Sequence, residues 1–430
     1  MIQLIRGFKD ILPGEVELWQ HIEKTARSLF EAFGFKEIRI PIMERTELFA
    51  RSIGEDTDIV EKEMYTFPDR KGDLIALRPE ATASVVRSYI EHKMYAKDAI
   101  RKFYTIGPMF RRERPQKGRY RQFYQINVEV FGIDSPFIDA HLIFLLVTLF
   151  ARLNVTDTHV HINSLGCQEC RPKFKEALAD MLLPATGKLC ANCVRRSKQN
   201  PLRVLDCKVP SCQDAISGAP SILDFLCADC SDHFENVKDS LEKLKISFII
   251  DKHLVRGLDY YTRTTFEILT GSLGAQNAVA GGGRYDGLVK ALVGPEQPAI
   301  GFAIGFDRLA EITNLKNAEL LQKPDVFVAA LGGKSRAIAF EWICALGLEG
   351  IRVEMDLGNK SLKSQMKRAN RLAAAHVLIV GEKEIEEGSA VLRNMTTKEQ
   401  VLIPLEGIVD RVIKTVSAQK NNNLCDILSC

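Results

Sequence analysis

The feature of this chain that most constrains its fold is a strongly basic segment enclosed by two strand-like runs. The runs are KFYTIGPMF (102–110) and QFYQINVEVFG (122–132), and together they predict a β-hairpin with a long, mobile turn. Residues 107–125, which include the turn, carry a single acid, Glu113. The cations around it are Arg111, Arg112, Arg114, Lys117, Arg119 and Arg121.

The chemistry of this turn indicates a phosphate-bearing ligand. Guanidinium groups that converge repel one another unless they share an anion, and their planar fork matches phosphate oxygens. Aromatic residues interleave with the cations and suggest a stacked base. ATP and a polynucleotide both meet these demands. On charge alone, a solvated basic loop is equally compatible. The aromatic residues are Phe110, Tyr120, Phe123 and Tyr124.

Composition sets the class of protein. A chain of 430 residues predicts two or three domains, and 46% apolar with 26% charged residues is typical of a globular protein. The net charge of +3 does not by itself indicate a nucleic-acid partner. Arg6, Lys9 and Asp10 interrupt any signal-peptide core, and the longest apolar run, 142–150, is too short to span a bilayer. We therefore expect a cytoplasmic protein with no membrane partner.

The pattern of elements indicates an α+β fold. A helical pattern over 15–33 precedes KEIRIPIMERTELF, in which Ile38, Ile40 and Ile42 alternate and predict a half-buried strand. Pro41 within this segment marks a sheet edge or a bulge. Further strands without regular crossover helices favour an antiparallel sheet over a doubly wound one. AVAGGGRYDGL (278–288) predicts a glycine-rich turn.

The domain prediction follows shifts in composition along the chain. The strand-rich zone comprises 1–165 and 246–318, interrupted by a cysteine-rich insertion at 166–245. Alternating strands and helices predict an α/β domain at 323–417, and the polar end, 418–430, predicts a disordered tail.

The insertion holds eight of the eleven cysteines, which raises the question of a metal. Cys167/Cys170, Cys190/Cys193 and Cys227/Cys230 are CxxC pairs, and Cys207 and Cys212 are spaced more widely. Two pairs can form a Cys₄ zinc site, for instance Cys190/Cys193 with Cys227/Cys230. Spacing alone does not show that they converge, so we favour free thiols over structural zinc and assign no metal ligand.

Several motifs together resemble the class II aminoacyl-tRNA synthetases and, among them, the histidyl-tRNA synthetase family. Pro41 in IRIPIME is similar to motif 1, FRRE (110–113) with RYRQF (119–123) to motif 2, and GFAIGFDRL (301–309) to motif 3. The blocks typical of the histidine enzymes occur in family order and cover nearly the whole chain. They are LRPEATA (77–83), QINVEVFG (125–132), LVRGLDYY (254–261) and GGGRYDGL (281–288).

The resemblance implies an ATP-dependent ligase that joins L-histidine to tRNA(His) through a histidyl-adenylate, with Mg²⁺ accompanying ATP. Arg111 would hold the α-phosphate and the substrate carboxylate, and Arg119 the γ-phosphate. Glu113 would lie near the adenine amino group, with Phe123 and Arg308 on the two faces of the base. Arg256 would balance charge on the α-phosphate where related enzymes use a metal ion, so we assign catalysis to Arg256 and Arg111.

The resemblance also implies a histidine pocket. Glu80, Thr82 and Gln125 match ligands of the α-amine, whereas Glu129 and Tyr261 match groups that bond the imidazole. The remaining predicted histidine-binding residues are Arg111, Arg256 and two pocket walls, Tyr260 and Tyr285. Two residues depart from the family pattern: Ala81 stands where many relatives have glycine, and Asp307 where many have glutamate.

The resemblance assigns roles to the domains. The strand-rich zone would be a catalytic domain that forms a homodimer through motif 1, and 323–417 an anticodon-binding domain. Basic residues that follow one helix there are spaced to meet a nucleic-acid backbone, although a solvated helix face is an equal alternative. The rival interpretation is a non-catalytic paralogue that regulates ATP phosphoribosyltransferase. The helical basic residues are Lys360, Lys363, Lys367, Arg368 and Arg371.

Overall fold

A computed structural model of the chain describes residues 1–54, 57–116, 118–273, 277–315 and 320–417. Lys117 of the basic turn and the tail predicted at 418–430 lie outside these residues. The chain divides into two compact units, 1–320 and 321–430. Among the helices of the described ranges, none combines the length and apolar character needed to cross a membrane.

Among its described residues the first unit has eleven strands: eight form one large sheet, on which helices pack, and three form a small one. Its strands are β1 (Lys36–Glu37), β2 (Met43–Arg45), β3 (Tyr65–Pro68), β4 (Leu74–Leu77), β5 (Arg101–Phe110), β6 (Gln122–Phe131), β7 (His159–Ser164), β8 (Phe248–Ile250), β9 (Thr262–Leu269), β10 (Ala278–Arg284) and β11 (Ala299–Gly305). Its helices include α1 (Val16–Ala32), α2 (Thr46–Ile53), α3 (Thr82–Glu91), α4 (Pro136–Arg152), α5 (Cys170–Leu182), α6 (Ala191–Gln199), α7 (Pro210–Ile216), α8 (Ala228–Lys243), α9 (Leu288–Ala291) and α10 (Phe306–Ile312).

The large sheet runs in the order β1-β5-β6-β11-β10-β9-β7-β8. Adjacent strands of this sheet are antiparallel except at its two edges, where β1 pairs with β5 and β7 pairs with β8 in parallel. β2, β4 and β3 form a separate antiparallel sheet. This arrangement confirms the predicted α+β class with a predominantly antiparallel sheet.

The β5–β6 hairpin forms because two ten-residue runs of strand formers are joined by a polar turn. The pairing extends without a break from Arg101 opposite Phe131 to Phe110 opposite Gln122. Helix α1 packs on the sheet through apolar residues at helical spacing, and the almost wholly apolar α4 is buried beside it. The resulting core covers one face of the sheet, whereas the described residues of the β5–β6 turn stay partly exposed to solvent.

Two sequence predictions are wrong in detail. The strand expected across Ile38–Ile42 is interrupted: β1 ends at Glu37, β2 begins at Met43, and Pro41 lies between them. Proline lacks the N–H that a continuous ladder needs. The glycine-rich turn is instead a central strand, β10, in which the three glycines pair with both β9 and β11.

The insertion consists of short helices around a small apolar cluster of its own, including Phe174, Leu178 and Val204. Helix α8 packs against α4 and contributes Phe234 and Val237 to the core of the large sheet. The domain boundaries remain predictions.

The eight cysteines of the insertion gather in two groups. The zinc site suggested by Cys190/Cys193 with Cys227/Cys230 is wrong, because these two CxxC pairs lie in different groups. The fold, and not distance along the chain, decides which pairs meet. The first cysteine group is Cys167, Cys170, Cys227 and Cys230, and the second cysteine group is Cys190, Cys193, Cys207 and Cys212.

The second unit has a five-stranded sheet in the order β13-β12-β14-β15-β16, parallel among the first three strands and antiparallel thereafter. Residues 408–417 add a further helix. The strands are β12 (Val326–Ala330), β13 (Val353–Met355), β14 (His376–Val380), β15 (Ser389–Asn394) and β16 (Gln400–Pro404), and the helices include α11 (Gly333–Leu348), α12 (Leu362–Arg371) and α13 (Glu382–Glu386).

Candidate functional site

A cavity of about 350 Å³ lies over the large sheet and gathers side chains from five separate segments. It is lined by residues of the β5–β6 hairpin, of β9 and the segment before it, of β10 and of the β11–α10 junction, and by Ile59. Every residue predicted to bind ATP lines this one cavity, together with two further residues predicted to bind histidine. They are Arg111, Glu113, Arg119, Phe123, Arg308, Gln125 and Arg256.

The hairpin holds Arg111 in the cavity through three contacts. Its Nε donates to the carbonyl of Pro79 at 2.9 Å, and its guanidinium lies 5.2 Å from the ring centre of Phe123. Nη1 of Arg111 is 3.8 Å from Glu113, which also pairs with Arg119 at 3.0 Å. One carboxylate thus orders two guanidinium groups but neutralises only part of their charge.

Arg308 adds a further cation from the start of α10. Its Nη1 donates to the carbonyl of Ala278 at 2.6 Å and its Nε to that of Gly118 at 3.3 Å. Burial and the neighbouring charge of Arg119 lower the pKa of Arg308. Crowded cations of this kind favour a polyanionic ligand, because its charge relieves both the burial and the repulsion.

Arg256 enters the cavity from the segment that precedes β9. Its guanidinium forms an ion pair with Glu267 and lies 5.6 Å from the ring centre of Tyr261. Burial is the largest influence and opposes the charged form, but Glu267, Tyr261 and Tyr260 together outweigh burial and raise the pKa of Arg256. Gly281 leaves room for the Arg256 guanidinium, because an added Cβ at Gly281 would lie 2.3 Å from Nη1 of Arg256.

A second, fully enclosed group of residues adjoins the cavity. Thr82 Oγ1 donates to Glu129 Oε1 at 2.6 Å, and the Tyr285 hydroxyl donates to the other oxygen of the same carboxyl group. Glu80 accepts hydrogen bonds from the backbone N–H groups of Thr82 and Ala83, at 2.6 and 2.9 Å, at the start of α3. Two acids, a hydroxyl and a phenol therefore share one buried polar centre.

The two acids are held in conditions that favour a cationic ligand. Burial raises the pKa of Glu129 to about 8, and the nearby Glu80 adds to the effect. Burial raises the pKa of Glu80 as well. A positive group that enters restores the ionised form of these carboxyls, which a neutral ligand cannot do.

Tyrosine rings form the wall of this centre. The ring centres of Tyr260 and Tyr261 are 4.6 Å apart, and those of Tyr260 and Tyr285 are 5.6 Å apart. Burial raises the pKa of all three phenols, which keeps them protonated as hydrogen-bond donors. The structure thus brings every predicted histidine-binding residue into the buried centre or the adjoining cavity.

Several buried polar side-chain atoms of the described site residues lack a hydrogen-bond partner, and two of them point to a ligand. Among the residues that the structure describes, the Gln125 Oε1 and Arg256 Nε atoms are buried and make no hydrogen bond. Native proteins rarely leave such atoms unpaired, so both indicate places where a ligand would bind.

Sequence reasoning missed three contributors to the site. Glu267 is an acid between the apolar residues Phe266 and Ile268 of β9, which was its only signal. Gly301 leaves room for Glu129, because an added Cβ there would lie 1.8 Å from Oε2. Lys9 lies 3.6 Å from Asp307 and 5.1 Å from the ring centre of Tyr120.

The two departures from the family pattern occupy defined places. Ala81 is fully buried beside α3, in the apolar cluster that contains Tyr261 and Tyr285. Asp307 accepts a hydrogen bond from the backbone N–H of Tyr124 at 2.9 Å. The shorter carboxylate therefore ties the start of α10 to β6.

In the second unit, the predicted basic helix is α12. Lys363, Lys367 and Arg371 are exposed, whereas Arg368 is half-buried and pairs with Glu354 at 3.4 Å. Lys360 is exposed just before the helix.

Comparison with known proteins gives a consistent result. The family model described as histidyl-tRNA synthetase matches residues 7–309, and the model described as anticodon binding domain matches residues 325–415. Two relatives named histidine–tRNA ligase are each 62% identical to this chain. The one from Desulfatibacillum aliphaticivorans covers 97% of this chain and 100% of its own length, and the one from Desulforapulum autotrophicum covers 97% and 98%.

Among solved structures, apo histidyl-tRNA synthetase from S. aureus matches with a TM-score of 0.81 and 35% identity, over 96% of this chain and 100% of that one. Both the sequence and the fold therefore agree along nearly the entire length. The chain belongs to the histidyl-tRNA synthetase family.

Proposed function

We propose that this protein attaches L-histidine to tRNA(His) at the expense of ATP, through a histidyl-adenylate. The observation that carries the proposal is the junction of two sites: a cavity lined by four arginines opens beside a buried centre of two acids and three tyrosines. The first suits a triphosphate, and the second suits an amino acid with a polar, basic side chain. Relatives that are 62% identical carry the name of this activity.

In the first step, the histidine carboxylate attacks the α-phosphorus of ATP and pyrophosphate leaves. Arg111 and Arg256 are positioned to share the charge that develops on the α-phosphate, while Arg119 and Arg308 bind the rest of the nucleotide. Because these guanidinium groups are held in place before the reaction, little reorganisation is needed as charge moves. In the second step, a ribose hydroxyl of the tRNA attacks the acyl carbon and AMP leaves.

Selection of histidine falls to the buried centre. Glu129 receives hydrogen bonds from Thr82 and Tyr285 and can accept one from an imidazole N–H, while Glu80 faces the ammonium group. A site that must hydrogen-bond a polar side chain rejects analogues without it, because its own groups would then stay unpaired.

Magnesium accompanies ATP in this chemistry, but no side chain is assigned to it. The three carboxylates that line the cavity each have a cationic partner: Glu113 pairs with Arg119, Glu267 with Arg256 and Asp307 with Lys9. We therefore derive no step through a metal ion.

A regulatory, non-catalytic role is not favoured. The chain retains Arg256 and the anticodon-binding unit, and its relatives of high identity over the full length are ligases. We place the reaction in the cytoplasm, where tRNA and ATP are available and the free cysteines stay reduced.

The exposed basic residues of α12 support a tRNA contact in the second unit. Lys363, Lys367 and Arg371 lie on one solvent-exposed side of the helix, at a spacing that suits successive phosphates. We place the tRNA backbone there.

The exposed apolar surface of the small sheet supports a homodimer. Ile42, Met43, Phe67 and Leu74 are 39–58% exposed, although they are large and apolar. Sedimentation should show a dimer that Met43→Asp dissociates, whereas Leu183→Asp, at an exposed site of the insertion, should leave it intact. A monomeric wild type would contradict this assignment.

Pyrophosphate exchange, measured with each amino acid separately, tests the activity. Exchange should depend on histidine, and its absence with histidine would contradict the proposal. Arg256→Ala should lower the exchange rate about 100-fold or more while tRNA binding persists. Arg152→Ala, at the exposed end of α4, is the matched control and should exchange normally.

A further inference from the structure

The geometry points to two structural zinc ions in the insertion, one bound by the first cysteine group and one by the second. Within each group the four sulfur atoms all lie within 4.8 Å of one another. Each group would supply four thiolates to one tetrahedral ion. Eight of the chain's cysteines would thereby be used in pairs of CxxC or CxxxxC type.

The sulfur separations match a tetrahedral ion rather than a disulfide. Cys167 and Cys170 have sulfurs 3.5 Å apart, and those of Cys167 and Cys227 are 3.9 Å apart. In the second group the sulfurs of Cys190 and Cys207 are 4.0 Å apart. Four sulfurs at a Zn–S distance of about 2.3 Å are separated by about 3.8 Å, whereas a disulfide requires about 2.05 Å.

Backbone N–H groups are directed at the sulfurs in both groups. The N–H of Cys227 donates to the sulfur of Cys170 at 3.2 Å, and that of Glu169 donates to Cys167 at 3.4 Å. In the second group the N–H of Cys190 donates to Cys212 at 3.1 Å. Such donors stabilise the thiolate form and orient a metal ligand, as outer contacts do in other metal sites.

The chain positions also suit thiolates. Cys170 is the first residue of α5, and Cys190 and Cys227 directly precede α6 and α8. The N-terminal ends of helices stabilise negative charge, such as the charge that a metal-bound thiolate carries. The positions at helix ends thus add a second argument for metal binding to the close grouping of four sulfur atoms in each group.

The insertion needs such ions for stability, because its apolar core is small. Phe174, Leu178 and Val204 are buried there, but Cys193, Cys207 and Cys212 occupy much of the same cluster. Small units of this kind usually rely on a metal or disulfides, and the described cysteines form no disulfide.

Both groups are connected to the site described above. Arg171 follows Cys170 and donates to the carbonyl of Tyr261, and the carbonyl of Gly166 accepts from the N–H of Arg263 at 2.9 Å. The first ion would thus anchor the chain on either side of the tyrosine wall.

The second ion would hold α6 and the turn that follows it. That region contacts the rest of the unit through ion pairs of Arg195 with Glu61 and of Arg203 with Asp259, at 3.1 and 3.0 Å. Asp259 lies between Arg256 and the tyrosines, so the second group is also linked to the catalytic segment.

Metal analysis of the full-length protein, purified without chelator, tests the proposal. We expect two zinc ions per chain and no iron. Less than one zinc per chain, with eight thiols that react freely in the native protein, would overturn it. Iron at either group would overturn the assignment to zinc, since four thiolates also bind iron.

Paired substitutions assign each ion to its group. Cys227→Ser with Cys230→Ser should lose one zinc, Cys207→Ser with Cys212→Ser should lose one, and the combination should lose both. Cys344→Ser, at an exposed cysteine of the second unit, is the matched control and should retain two. Loss of the same single ion from both paired variants would overturn the two-site arrangement.

Cobalt titration covers the case in which a variant fails to fold. Demetallated wild type should bind two Co²⁺ per chain and develop the visible absorption of tetrahedral cobalt thiolate, which added zinc should remove. Fewer than two equivalents, or the weak spectrum of an octahedral ion, would overturn the proposal. These readouts do not depend on aminoacylation, so they stand or fall separately from the proposed function.

Discussion

Glu129 shows how a single residue can combine selectivity with a cost in stability. It is 1% exposed, and its two oxygens are occupied by Thr82 and Tyr285. The free protein holds this carboxyl protonated at neutral pH, because burial penalises its charged form. A ligand that brings a positive charge removes the penalty.

The pH dependence of folding should report this group. The folded state keeps the Glu129 proton up to about pH 8, whereas the unfolded chain releases it near the ordinary value of 4.5. The folded state therefore binds more protons in this window, and the free energy of unfolding should fall as pH rises from 4.5 to 8. In Glu129→Gln this decrease in the free energy of unfolding, of the order of a few kcal/mol, should be absent. Urea unfolding between pH 5 and pH 9 measures it.

The control for this experiment is Glu176→Gln, at an exposed position of α5 in the same unit. It should follow the wild-type profile. An unchanged profile in Glu129→Gln would show that the carboxyl is already ionised in the folded protein.

Gly281 offers a test of how Arg256 is placed. In Gly281→Ala the new methyl would overlap the Arg256 guanidinium, which must then move from Glu267 and the cavity. Pyrophosphate exchange with histidine should fall at least 10-fold, because about 1.4 kcal/mol of lost transition-state stabilisation is enough for that change. Gly287→Ala has open space around its Cβ and should retain the wild-type rate. Equal rates for the two variants would mean that Arg256 does not act from its observed position.

Part of the site was predictable from the sequence because charged and aromatic residues stand out in it. The resemblance placed Arg256 and Glu129 in the site, and the structure does bring their segments together. Gly281 and Gly301 were not predictable as site residues, since their contribution is the absence of a side chain beside a group distant in the chain. Glu267 was missed for a similar reason: only the fold reveals its ion pair with Arg256.

At the scale of elements, a buried ion pair joins helices and sheet. Arg284 of β10 contacts Asp139 of α4 at 2.7 Å, and His233 of α8 contacts the same carboxylate at 2.9 Å. Arg284 and Asp139 are fully buried. The insertion's last helix is thus tied to the central strand that carries the three glycines.

Removal of the shared acid should destabilise this junction strongly. Asp139→Ala leaves the Arg284 charge buried without its partner, so we expect a loss of about 3–5 kcal/mol in the free energy of unfolding. Chemical denaturation measures it, with Asp180→Ala, at an exposed position of α5, as the control. A loss below about 1 kcal/mol would mean that water reaches Arg284 in the variant.

Most elements followed from the sequence, and the exceptions have local causes. The hairpin of β5 and β6 and the burial of α1 reflect clear periodicity. The strand expected near Pro41 broke because proline removes a ladder donor, and the GGG run was interpreted as a turn because glycine is permissive. In β10 the glycines serve close packing instead: an added Cβ at Gly282 would lie 2.2 Å from the carbonyl oxygen of Gly301.

The basic run at 194–203 shows the limit of charge patterns for predicting contacts. From the sequence alone, VRRSKQNPLR is compatible with phosphate contacts and equally with a solvated face. The structure pairs Arg195 with Glu61, Arg196 with Asp58 and Arg203 with Asp259. The three arginines of the run are thus paired within the molecule, because acids far away in sequence lie opposite them.

At the scale of the whole molecule, the chain consists of two units with separate cores. The second unit has its own apolar cluster, including Val326, Trp342 and Leu378. A core of this kind is expected to support independent folding.

Residues 323–417, expressed alone, should therefore unfold in one cooperative transition with well-dispersed NMR signals. The isolated unit should lack pyrophosphate exchange, since the cavity belongs to the first unit. Absence of cooperative unfolding would show that the predicted boundary cuts through a folding unit.

The glycines beneath the catalytic centre limit how its amino-acid preference can be altered. Gly281 and Gly301 have no side chain, so no substitution at these two positions can make more room for a bulkier substrate. Any enlargement has to come from the tyrosine wall, at Tyr260, Tyr261 or Tyr285. Redesign for histidine analogues should accordingly begin with that wall, with the loss of its aromatic contacts as the main penalty.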